Sequence, residues 1–131
     1  MQRKVLASGV FDIIHPGHVY FLKEARALGD HLTVLVTSDG HAERTKRKPH
    51  HAAEKRASLV ESLEFVDEVF VGSDPYSLRL SLEASNPDVI ALGHDQLLDE
   101  EFLKEEAAEL GWAVEVMRLT KLPGTLSTRD L

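Results

Sequence analysis

The chain has 131 residues, 43% of them hydrophobic, and a formal net charge of −7 at pH 7. That is enough to fill the core of one domain, and the wrong sign for bulk attraction to nucleic acid. The absence of cysteine excludes disulfides, thiol catalysis and zinc–thiolate sites, and no apolar run approaches the roughly 20 residues of a membrane span.

The N-terminus, Met1-Gln2-Arg3-Lys4, enters a strand without the long apolar region of a signal peptide, so a single cytoplasmic domain over residues 1–131 is expected. Residues 5–8 read as a buried strand. Residues 17–28 read as a helix with Val19, Leu22, Ala25 and Leu28 on one face and Gly29 ending it. Residues 32–36 form a branched, apolar second strand. The polar, basic stretch 40–51 reads as a mobile loop, and residues 52–63 as a helix carrying Ala53, Ala57, Val60 and Leu63 toward a core. A third strand at 66–71 ends at Gly72, a helix follows over 75–84 with Pro75 in its first turn, and residues 89–92 make a fourth strand. Asp99 caps a helix running to Leu110, with Glu100 and Glu101 in its first turn and Gly111 ending it. Residues 113–117 form a fifth strand, and Ser127-Thr128 opens a last helix only begun by Leu131, in a naturally short or a trimmed form. Continuous apolar strands alternating with helices predict an α/β fold: a single Rossmann-like domain with a five-stranded parallel sheet flanked by helices on both faces. Such sheets bind ligands at the carboxyl ends of their strands, where strand order reverses.

His15-Pro16-Gly17-His18 lies where the first strand turns into the first helix. A helix start offers free N–H groups and the positive end of a dipole, which attract phosphate. Imidazoles there can donate to phosphoryl oxygens that gain charge in a transition state, and a glycine lets the backbone approach closely. The reading is a site for a nucleoside triphosphate. A zinc site is the competing reading, since His41, His50, His51 and His94 are also present, but no His-Glu-x-x-His or cysteine pair supports it. Neither a Gly-x-Gly-x-x-Gly nor a Walker A run exists. Arg44-Thr45-Lys46-Arg47-Lys48 is a dense basic cluster on the same rim, either a solvated loop or one that closes over a triphosphate through Lys46 or Lys48. Asp95, beside Gly93, suits a ribose hydroxyl or base amine. Asp12 either caps its turn or orients a magnesium ion. Ser127 and Thr128 bring hydroxyls and free amides together in a second phosphate cradle.

Gly9-Val10-Phe11-Asp12 followed by His15-x-Gly17-His18 resembles the HxGH nucleotidyltransferases, which include cytidylyltransferases of glycerol phosphate and phosphocholine, pantetheine-phosphate adenylyltransferase and the archaeal FAD synthetases. The resemblance implies attack by an acceptor phosphate on the α-phosphorus of a nucleoside triphosphate, with Mg2+ bridging phosphates and pyrophosphate leaving. It places Val10, Phe11, Pro16 and Gly17 along the nucleotide with both histidines, gives the basic loop a phosphate-binding lysine, and puts Leu122 in a segment that meets the nucleotide. Arg56, in a Glu-x-Arg setting, either reaches phosphate or holds the loop. With Asp12 and Lys48 it is assigned to substrate binding. It also implies a homodimer near residues 65–69. Gly93-His94-Asp95-Gln96 with Asp99-Glu100 resembles the archaeal FAD synthetases, so ATP and FMN are the favoured pair. The alternative is CTP with glycerol 3-phosphate or another small phosphate ester. It is weakened because Lys121-Leu122-Pro123 stands where cytidylyltransferases carry Arg-Thr-Glu. A nucleotide-binding module without turnover is a third reading, which intact His15 and His18 oppose.

Overall fold

The structure is a computed structural model that describes residues 2–121; Leu122, Ser127 and Thr128 lie outside them. Five strands, β1 (Lys4–Gly9), β2 (His31–Val36), β3 (Glu68–Val71), β4 (Val89–Leu92) and β5 (Glu115–Arg118), form one parallel sheet in the order β3-β2-β1-β4-β5. Both faces of the central strands are apolar, as a doubly covered parallel sheet requires. Val5, Ala7, Leu32, Val34, Val89 and Ala91 share one core with helices α1 (Pro16–Arg26) and α3 (Ala53–Glu61). Ile90 and Leu92 share the other with α4 (Leu78–Ser85) and α5 (Glu100–Glu109). Strand order reverses between β1 and β4, so their carboxyl ends flank the open crevice.

The helices differ from the sequence expectation at instructive points. The loop expected over 40–51 contains a short helix, α2 (Asp39–Thr45), because Ser38 accepts from the His41 N–H and caps it. The helix expected from Pro75 begins at Leu78, since Ser77 accepts the Leu80 N–H at 3.2 Å and is the better cap. Gly29 was expected to end α1 in a C-cap motif. The cap is instead Ala27, with right-handed backbone, and Gly29 serves close packing: a Cβ there would lie 2.3 Å from the Arg3 carbonyl oxygen. Asp99 caps α5 and Gly111, at φ +101°, follows it, as expected.

Candidate nucleotide site

The crevice begins in a strained turn. Phe11, a bulky residue, has left-handed backbone at φ +51° and is 3% exposed. The ring packs back against Gly9, where a Cβ would come within 2.8 Å of it. Glycine is therefore needed at position 9 for close approach. Anchors on both sides of Phe11 hold the turn. The Val10 carbonyl accepts from Arg56 Nη1 at 2.8 Å. Asp12 accepts the His50 N–H at 2.8 Å and the His51 N–H at 2.9 Å, with His50 Nδ1 2.9 Å from the same carboxylate. Burial alone would raise the Asp12 pKa; the His50 and His51 donors outweigh it and hold the carboxyl well below the usual range.

The two histidines cap their own helix. His15 Nδ1 accepts the Gly17 N–H at 3.1 Å, and His18 Nδ1 accepts the His15 N–H at 3.2 Å, a reciprocal box built from imidazoles in place of Ser and Glu. An accepting Nδ1 in a neutral ring assigns the proton to Nε2, so both rings carry an Nε2–H donor. The rings stack 3.8 Å apart, and Phe11 meets His18 edge-on at 5.4 Å. Desolvation, then repulsion from His15 and Lys46, push the His18 pKa down to about 4, against opposing contributions from Asp95 and the Ile13 backbone. His18 is a neutral donor at physiological pH.

These rings line a cavity of about 580 Å³, whose wall includes Ser8 and Gly9 at the end of β1, Gly93 to Gln96 after β4, and Thr120 and Lys121 after β5. Of the basic cluster, Lys46 and Arg47 line it; Lys48 does not. Val10, Phe11, Asp12, Gly17 and Asp95 line it as well, whereas Pro16 is exposed at the first helical position, away from the wall. Arg56 is also away from the wall and fully buried. It donates to the Val10 and His51 carbonyls and to Asp39 at the start of α2, so of its two expected roles the geometry is that of holding the loop. Asp12 is likewise the turn's anchor, its carboxylate filled by amides of the segment that follows the basic loop. Arg44, expected within the cluster, pairs instead with Asp74.

Sequence reasoning passed over Arg118. This residue ends β5, and its guanidinium reaches into the β4–α5 connection. Nη1 donates to the carbonyls of Gly93 at 2.9 Å and Gln96 at 2.8 Å. Nη2 donates to the Leu98 carbonyl and, at 2.6 Å, to Glu100, and Nε donates to Glu100 at 3.1 Å. The available signal was an arginine closing a half-apolar strand on the ligand-binding rim. Arg47 was visible in the cluster but was not singled out from Lys46 and Lys48.

Comparison with known proteins finds relatives over most of the chain. The family model for cytidylyltransferase-like proteins matches residues 6–129. A FAD synthase of Aciduliprofundum boonei is 48% identical over 120 residues, covering 90% of this chain and 78% of that protein. A FAD synthase of Ferroglobus placidus is 48% identical over 118 residues, 90% of this chain and 76% of the relative. Among solved structures, a protein from Thermoplasma volcanium named for lipopolysaccharide core biosynthesis superposes with a TM-score of 0.90 at 35% identity, covering 94% of this chain and all of that one.

Proposed function

The chain belongs to the cytidylyltransferase-like family, and we propose that within it the chain is an FMN adenylyltransferase, joining ATP and FMN to give FAD and pyrophosphate. A phosphate oxygen of FMN forms a bond to the α-phosphorus of ATP, the bond from that phosphorus to the bridging β-oxygen breaks, and pyrophosphate leaves. No covalent enzyme intermediate is required. Catalysis is positioning and charge stabilisation. The observation that carries this reading is the stacked pair His15–His18, each ring capped through Nδ1 and carrying its proton on Nε2 at the mouth of a helix. Nε2–H donors at a helix start stabilise phosphoryl oxygens. Lys46 and Arg47, on the wall of the same cavity, neutralise the departing pyrophosphate.

ATP and FMN rather than another pair rest on the FAD synthase relatives, each covering most of this chain. The cavity suits a flavin as well: Ile13, 55% exposed, and Tyr20 and Phe21 line it and offer apolar surface to an isoalloxazine. Magnesium would neutralise phosphate charge when bound. Among the described residues no group of three His, Asp or Glu side chains gathers to cage a cation, and Asp12 is engaged by backbone amides. Asp95 is the remaining carboxylate on the wall and would be the side chain placed to meet the ion or its water. We also propose a cytoplasmic homodimer using the exposed β3 edge. Among the described residues no helix is long and apolar enough to cross a membrane. Light scattering and fractionation test both points.

The deciding experiment measures pyrophosphate release from ATP and CTP against FMN, glycerol 3-phosphate and a sugar 1-phosphate. FAD formed from ATP and FMN, identified by chromatography, is the expected result. Rapid release with CTP and glycerol 3-phosphate, or with the sugar phosphate, and none with FMN overturns the acceptor assignment.

A further inference from the structure

We infer that Arg118 is a positioning residue for the nucleotide: its guanidinium holds the segment 93–98, and with it Asp95 and Gln96, in place against the histidine side of the cavity. A guanidinium has five N–H donors in a rigid fork. All five are engaged here. Three go to the carbonyls of Gly93, Gln96 and Leu98, and two to Glu100 at the first turn of α5. The segment thus wraps around one planar group. It is cross-braced from within, since Gln96 Oε1 accepts the Gly93 N–H at 2.7 Å and the Gln96 N–H donates to the Gly93 carbonyl at 3.3 Å.

The placement matters because this segment is one wall of the site. Gly93 to Gln96 line the same cavity as the histidines, and the Asp95 charge is felt by His18. A Cβ on Gly93 would find only ordinary contacts, the closest at 3.5 Å to Asp95, so the backbone there is not shaped by crowding. Its course is set by the hydrogen bonds to Arg118 together with the Gly93–Gln96 cross-brace. Arg118 sits at the end of an edge strand with Leu92 as its register partner, so it ties the carboxyl ends of β4 and β5 together across the nucleotide side. A lysine, with three donors on a point charge, cannot satisfy three diverging carbonyls and a carboxylate together.

This inference takes the crevice to be the nucleotide site, as proposed above, but not the identity of the acceptor. The test compares wild type with Arg118→Lys by calorimetric titration, using whichever of ATP and CTP the wild-type chain binds, with magnesium and without acceptor. Steady-state kinetics with FMN follow. Nucleotide affinity and nucleotide KM should worsen by about tenfold, the usual consequence of losing charged hydrogen bonds. FMN KM and kcat at saturation should stay close to wild type. A change in nucleotide affinity below threefold, or an equal worsening for FMN, overturns the inference, because a merely structural arginine would move both substrates together. If Arg118→Lys does not fold, Glu100→Ala is judged by the same threshold. Wild-type chain that binds ATP but forms no FAD overturns the acceptor assignment and leaves the Arg118 comparison standing, since that comparison reads binding alone.

Discussion

His15 and His18 each commit one ring nitrogen, Nδ1, to the backbone of their own helix start, and the proposed function assigns Nε2 to phosphate. Structure and chemistry can therefore be separated at His15. An asparagine there carries Oδ1 where the imidazole has Nδ1, so His15→Asn should keep the cap and lose the Nε2 donor. Turnover should fall by about a hundredfold, the scale set by removing one transition-state donor. Thermal stability should stay near wild type, whereas His15→Ala should in addition cost about 1 kcal/mol for the lost cap. Normal turnover in His15→Asn would remove the histidine from the chemistry. For His18, NMR titration of the free protein should give a midpoint of about 4. A midpoint near the ordinary 6.5 would show a ring neither desolvated nor pressed by His15 and Lys46.

Between α2 and α3 the chain is pinned at both ends. Arg56 ties α3 to the Val10 carbonyl, to the His51 carbonyl and to Asp39, and Asp12 receives the amides of His50 and His51. Between the end of α2 and His50, residues 46–49 lie outside the helix and beyond the reach of Arg56 and Asp12; the amides of Lys46 and Arg47, both on the cavity wall, still bond the Ala42 carbonyl. Nucleotide should therefore protect residues 46–49 from limited proteolysis, while α2 resists cleavage with or without it. Cleavage within 40–45 at the same rate as within 46–49 would contradict the strap. Arg56→Met should destabilise by about 1–3 kcal/mol for each acceptor left unpaired in the interior, read by chemical denaturation. It should also reduce turnover, because the strained backbone at Phe11 loses an anchor. The sequence displayed the helix that carries Arg56, because Ala53, Ala57, Val60 and Leu63 follow the helical period. It did not display that Arg56 shares their buried face, since an arginine in such a pattern reads as solvated. The partners that make its burial tolerable come from residues 10, 39 and 51. The strands and the histidine turn were legible because buried parallel strands and a His-x-Gly-His helix start are local patterns. Asp12 as an anchor and Arg118 as a brace depend on contacts between residues 38 or more and 18 or more positions apart, which no local pattern encodes.

At the scale of the molecule, the sheet order puts two groups with lowered proton affinity in the same crevice, so the site and the stability of the fold respond together to acid. His18 in the unfolded chain takes a proton near pH 6.5, while in the folded chain it resists until about pH 4. As pH falls through that window the unfolded state binds more protons, and stability declines; above about 6.5 the term vanishes. Asp12 acts lower. Unfolded, its carboxyl is protonated near 3.8, while the folded carboxylate stays charged against His50 and His51. Its contribution is present above that value and is lost as pH falls further toward the depressed folded value. Melting temperature followed by calorimetry from pH 7.5 to 3 should therefore decline in two stages. His18→Gln should flatten the stage between 6.5 and 4 and leave the lower one. Asp12→Asn, which cannot carry the charge, should lower stability at neutral pH and flatten the stage below 4. If His18→Gln melts with the same pH slope as wild type between 6.5 and 4, the imidazole is not the half-buried neutral donor that the cap and the stacked ring require.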